Sequence, residues 1–151
     1  MDKFKNADEI LDFAIEKEQE AVNFYTRLAN NARNEEMKQV FEQFAQEEVN
    51  HKMRLQKIKD DRSFVFSEEK IMDLSISDYV VPTKITPDMS YQDALVVAMN
   101  REKAAFKLYM KLASQVDDST LKDLFLTLAQ EESKHKLRFE LEYDEYVLRE
   151  N

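Results

Sequence analysis

Along four stretches of the chain, apolar residues recur in steps of three and four, the spacing that lines one face of an α-helix. The first stripe runs Leu11, Ala14, Ile15, Glu18, Ala21, Val22, Tyr25, Leu28, Ala29. It opens near Asn6, whose side chain can cap free backbone amides, with Glu9 three residues on as the reciprocal partner of a capping box. The second, from about Asn34 to Asp60, runs Met37, Val40, Phe41, Phe44, Ala45, Glu48, His51, Leu55, Ile58. A third begins at Ser90, an N-cap by residue type, with Leu95, Ala98, Met99, Glu102, Ala105, Phe106, Tyr109, Leu112, Ala113 on one face. The fourth starts near Asp118 with Leu121, Leu124, Phe125, Leu128, Ala129, Glu132, His135, Phe139, and continues through Tyr143, Tyr146 and Val147. Every stripe is interrupted by ionisable residues at positions that an apolar side chain would otherwise fill.

Displacing the first half by 84 residues lays Glu18 on Glu102, Tyr25 on Tyr109, Glu48 on Glu132 and His51 on His135. The segment FEQFAQEEVNHKMR aligns in the same register with FLTLAQEESKHKLR, so one helix pair has been duplicated. Short connectors inside each pair predict antiparallel hairpins over residues 6–62 and 90–148. Between them, residues 63–88 lose the periodicity and contain both prolines, Pro82 and Pro87. A short helix is expected around Glu68 to Leu74, and the stretch is long enough to cross the length of a bundle. The expected fold is all-α: one domain over residues 1–151, a four-helix bundle of two antiparallel pairs joined by a long crossover.

Spacing of i, i+3 puts Glu48 with His51, and Glu132 with His135, on single helix faces one turn apart. Glu18 and Glu102 add one carboxylate each. A Glu from each of two helices and a Glu-x-x-His from each of the other two is the donor set with which four-helix bundles hold a pair of metal ions. A lone glutamate on a helix belongs at the surface, and a lone histidine on an apolar face is usually a hydrogen-bonded core residue. Four carboxylates in one core, however, repel one another and lose hydration at an effective cost of several kcal/mol per ion, and two divalent cations offset that charge. The chain's only two histidines are the two that complete the pattern. Glu47 and Glu131 stand four residues from the histidines but about 100° off their stripes, which makes them flanking groups. Tyr25 and Tyr109 follow Glu18 and Glu102 by two turns, either as core aromatics or as hydrogen-bond donors to a ligating carboxylate.

Composition narrows the chemistry further. The absence of cysteine excludes disulfides, zinc fingers, iron–sulfur clusters and thiol catalysis. The absence of glycine excludes dinucleotide and phosphate-binding loops, which need backbone with no Cβ, and with them a flavin site of that kind. A formal charge of -9 opposes nucleic-acid binding. No apolar run approaches the roughly 20 residues of a membrane helix, and the N-terminal residues lack the apolar core of a signal peptide, so a cytoplasmic protein is expected. Hard oxygen donors with imidazole favour iron or manganese, with zinc a third fit.

The motif E-x-x-A-x-x-x-Y twice, with E-x-x-H twice, resembles the rubrerythrin branch of the ferritin-like superfamily over nearly the whole chain. The resemblance implies a di-iron centre with Glu18, Glu48, His51, Glu102, Glu132 and His135 as ligands, Glu48 and Glu132 bridging and Glu18 and Glu102 terminal. It also implies reduction of hydrogen peroxide, with dioxygen as the other oxidant to weigh, by electrons from an external donor protein. Two departures stand out: Ala105 occupies the place of an additional carboxylate, and the family's four-cysteine rubredoxin module has no counterpart. Bacterioferritins share a similar six-ligand site, but Val49 and Asn50 stand where their haem-binding methionine falls, so no haem is expected. The rival reading is a non-enzymatic iron-binding or iron-storage protein. Phe64 and Phe66, or Tyr143 and Tyr146, either cover the bundle end or pair two copies into a homodimer.

Overall fold

A computed structural model describes residue 4 and residues 6–61, 76–81, 86 and 88–150 of the chain. The expected helix at Glu68 to Leu74 and the aromatics Phe64 and Phe66 lie outside the described residues. Four long helices form where the stripes place them: α1 (Ala7–Asn30), α2 (Glu35–Asp61), α3 (Tyr91–Gln115) and α4 (Ser119–Glu150). A 3-10 turn, Ile76–Tyr79, precedes α3 and packs against it. The chain divides into two compact units, Met1–Ser75 and Ile76–Asn151, each holding one helix pair. No helix among the described residues is long and apolar enough to cross a membrane.

Polar caps set the helix boundaries. Asn6 Oδ1 accepts from the Glu9 amide at 2.8 Å and Asn34 Oδ1 from the Met37 amide at 2.8 Å. Ser90 Oγ accepts from the Asp93 amide at 3.1 Å, and Asp118 Oδ1 takes both the Thr120 and Leu121 amides, at 2.8 and 3.1 Å. Each bond satisfies a donor that the first helical turn leaves open. At the other ends the chain has no glycine to place in a left-handed cap. Asn31 closes α1 instead, its backbone N–H reaching the Arg27 and Leu28 carbonyls and its side-chain amide donating to Arg27 O at 3.1 Å. Val116 ends α3 by turning extended and burying its side chain.

In the first unit α1 lies against α2. Ile10, Leu11, Ala14, Phe24, Tyr25 and Leu28 meet Met37, Phe41, Leu55 and Ile58 in the core. Two polar clasps tie the helices outside that core. Lys52 Nζ donates to Gln19 Oε1 at 2.6 Å, and Lys59 pairs with Asp12, a hydrogen bond that holds the Lys59 ammonium above its usual pKa. In the second unit α3 lies against α4, with Tyr109 stacked on Phe125 at 6.4 Å between ring centres. Tyr91 sets its ring edge on Tyr146 at 5.0 Å and donates its hydroxyl to Glu142 Oε2 at 2.7 Å, while Gln92 reaches the Tyr143 hydroxyl at 3.3 Å. Tyr143 and Tyr146 thus engage the start of α3.

The stripes locate the helices but misplace one flank of each buried arc. Phe24 and Leu108 are buried, whereas Val22 is half-buried and Phe106 is exposed. Each pair is related by the 84-residue repeat, so both hairpins bury the same side. Apolar spacing cannot choose between flanks when both carry an apolar residue, because a buried arc of more than about 100° extends to whichever side meets a neighbour. Ile15, Val40 and Phe44 are likewise half-buried rather than core.

Asp118 gives the clearest test of the caps. Asp118→Ala should cost about 0.5–2 kcal/mol in urea unfolding of the metal-free protein, and Asp118→Asn should keep most of the stability. An alanine variant with the wild-type midpoint would show that the cap bonds do not hold the α3–α4 turn.

Candidate metal centre

Glu18 lies midway along α1, and Glu48 and His51 lie on consecutive turns of α2. Antiparallel packing brings the three together, with His51 Nδ1 at 3.0 Å from Glu18 Oε2 and 3.6 Å from Glu48 Oε1. Their donor atoms all lie within 4.8 Å of one another. The second hairpin repeats the arrangement with Glu102 from α3 and Glu132 and His135 from α4. There His135 Nδ1 stands 3.5 Å from Glu102 Oε2 and 3.7 Å from Glu132 Oε1, and the three donor atoms again lie within 4.8 Å. None of the six residues is more than 2% exposed. All six positions singled out from the sequence are therefore buried, and each hairpin contributes a cluster of the same composition.

The distances help to separate two explanations of such a cluster. A protein N–H···O hydrogen bond spans about 2.7–3.2 Å, which fits His51 with Glu18 but not the other three separations. An ion about 2.0–2.2 Å from each donor holds neighbouring donors about 2.8–3.6 Å apart for bond angles between 90° and 109°. The observed 3.0 to 3.7 Å lies close to that range. In both hairpins it is Nδ1 of the imidazole that faces the carboxylates. Carboxylate oxygens with imidazole nitrogen suit iron, manganese or zinc, and the donors present are of that kind.

The surroundings sort the remaining candidates. Tyr25 and Tyr109 are fully buried, and the Tyr109 ring packs on Phe125. Glu47 and Glu131 are half-buried on the flanks, as their rotation off the stripes requires. Ala105, in the place of the additional carboxylate, is half-buried.

One buried ionisable residue escaped the sequence reading. Glu142 on α4 is fully buried, two turns beyond His135, and accepts the Tyr91 hydroxyl. Tyr91 is the first residue of α3, so the carboxylate sits by the positive end of that helix dipole, which favours an anion. Its signal in the sequence was a break in the repeat, since the matching residue of the first hairpin is Ile58.

Comparison with known proteins places these features. A crystal structure described as that of a ferritin-like diiron-carboxylate protein from Thermotoga maritima superposes with a TM-score of 0.77 at 21% identity, covering 97% of this chain and 99% of that one. At that identity the likeness establishes the fold, an all-α ferritin-like four-helix bundle. No curated protein matches the chain. The family model described as Rubrerythrin matches residues 9–143, which take in both Glu-x-x-His motifs and both single glutamates, and the chain belongs to the rubrerythrin family.

Proposed function

We propose that the chain is a non-haem di-iron oxidoreductase that reduces hydrogen peroxide or dioxygen with electrons from an external donor protein. The observation that carries this reading is the pair of buried clusters, each with a glutamate and a Glu-x-x-His whose Nδ1 lies 3.0 to 3.7 Å from its carboxylates. Membership of the rubrerythrin family supports joining the two clusters into one centre. Glu48 and Glu132 would span both ions, and Glu18 with His51, and Glu102 with His135, would complete one ion each. Iron bound there supplies two electrons to the oxidant, one from each ferrous ion.

The protein's own part is charge balance and exclusion of water. Four glutamate charges match the four positive charges of two divalent ions, so the filled site is neutral and its burial ceases to be costly. Ala14, Ala21, Ala45 and Leu55, and in the second hairpin Ala98 and Leu128, flank the ligands on the same faces and are buried. Such apolar flanks exclude bulk water and strengthen every electrostatic interaction inside. Within these 151 residues there is no thiol and no glycine-rich loop to hold a second redox group, which is why the reading includes a separate electron donor.

Mixing the anaerobic ferrous protein with peroxide, and separately with dioxygen, tests the activity. Peroxide should oxidise the iron faster, and His135→Ala should abolish the fast phase. Oxidation by neither reagent would contradict the reading, while continued uptake of many irons per chain in air would favour storage.

The charge argument makes a separate prediction about stability. Glu48→Gln should leave the metal-free protein at least as stable as the wild type, because it removes a buried charge and keeps the side chain's shape, and should lose the further stabilisation that the wild type gains from metal. Thermal melts with and without ferrous iron measure both quantities. A variant less stable than wild type in the metal-free state would show that Glu48 serves the fold rather than a ligand.

A further inference from the structure

Duplication makes each hairpin an internal control for the other. The inward positions of α1 and α3 agree: Glu18 with Glu102, Ala21 with Ala105, Tyr25 with Tyr109, Leu28 with Leu112. The outer flank does not. Where α1 has Gln19, Val22, Asn23, Thr26 and Arg27, α3 has Lys103, Phe106, Lys107, Met110 and Lys111. In α1 this flank is tied into its own hairpin, since Lys52 donates to Gln19 and Gln19 Nε2 donates to Asn23 Oδ1 at 3.0 Å. In α3 a lysine stands in place of Gln19, and Lys136, the counterpart of Lys52, bonds instead to Glu140 of its own helix at 3.3 Å. The side chains of Lys103, Lys107 and Lys111 form no ion pair with any described residue. Beside them Phe106 is 36% and Met110 41% exposed.

Three lysines at successive intervals of four repel one another along a helix, and the two large apolar side chains beside them leave more than a third of their surface in water. The strip is basic on a chain whose formal charge is -9. A second copy docked on this face by two-fold symmetry would set lysine against lysine. The combination of an apolar centre with a basic rim instead complements an acidic protein, and encounters between electron-transfer partners use small faces of this kind. Glu102 lies on the same helix four residues before Phe106, a separation of about 6 Å along the axis.

We propose that the Lys103, Phe106, Lys107, Met110 and Lys111 flank of α3 is the docking surface for a small acidic electron-carrier protein that serves the buried centre. The proposal rests on the reading of that centre as a redox site. The carrier gives up one electron per encounter, and two encounters match the two electrons with which hydrogen peroxide, taking up two protons, becomes two waters. The lysines steer the acidic carrier to the face, and the Phe106 and Met110 side chains exclude water where it settles.

A reduced plant-type [2Fe–2S] ferredoxin, acidic and a one-electron donor, serves as the probe. Its second-order rate of reducing the oxidised, metal-loaded protein should fall as salt rises. The double variant Lys103→Glu, Lys107→Glu should lower the low-salt rate by at least about tenfold and flatten the salt dependence, with metal content, melting temperature and reduction by dithionite unchanged. On the metal-free protein, amide signals between residues 103 and 111 should broaden when the same ferredoxin is added, and should not do so in the double variant. Equal rates and equal salt dependence in the two proteins, or broadening centred elsewhere, would overturn the docking surface. A wild-type dimer that the double variant converts to monomer would overturn it too, by assigning the face to a second copy. Failure of dithionite itself to reduce the loaded wild type would instead remove the redox reading of the centre, and the proposal with it.

Discussion

Burial of ionisable side chains is the constraint around which the rest of the molecule is arranged. Four glutamates and two histidines, none more than 2% exposed, occupy positions on helix stripes that are otherwise apolar. A carboxylate moved from water into a protein interior carries an effective penalty of several kcal/mol, well above what one hydrogen bond of about 1 kcal/mol returns. Such a cluster therefore persists only if something in its working state offsets its charge. Under the proposed function that is a pair of divalent ions, and the site is stabilising when filled and destabilising when empty.

The scaffold supports this arrangement through its helix pairs. Long helices with polar caps hold the donors at fixed heights, and the antiparallel hairpin sets a glutamate of one helix against a Glu-x-x-His of the next. With no glycine available, Asn31 and Val116 end the helices by side-chain capping and by extended backbone. The two hairpins are clasped differently, by Lys52 with Gln19 and Lys59 with Asp12 at the edge of the first and by Tyr91 with the buried Glu142 in the second. The six buried glutamates and histidines match in register between the hairpins while the outer faces differ, and the lysine flank of α3 is one such difference.

Much of this was legible in the sequence, for identifiable reasons. Helix positions followed from apolar periodicity, and the starts at Asn6 and Ser90 followed from their capping side chains, because an N-cap is a local interaction that residue type alone predicts; the caps made by Asn34 and Asp118 emerged in the structure. The buried clusters were legible because charged residues at apolar positions recur in register 84 residues apart. What was missed depended on neighbours. Phe106 reads as core but is exposed, and Phe24 and Leu108 are buried, because spacing does not say which side of a stripe meets another helix. Glu142 passed unnoticed because its partner, Tyr91, is 51 residues away and no local pattern links them.

Under the proposed function these six residues serve one site for two ions, and anaerobic titration of the metal-free protein with ferrous iron tests that most directly. Saturation at two ions per chain, with less iron bound when either His51 or His135 is replaced by alanine, is the predicted result. No tight binding, or the same two ions in both alanine variants, would contradict the account.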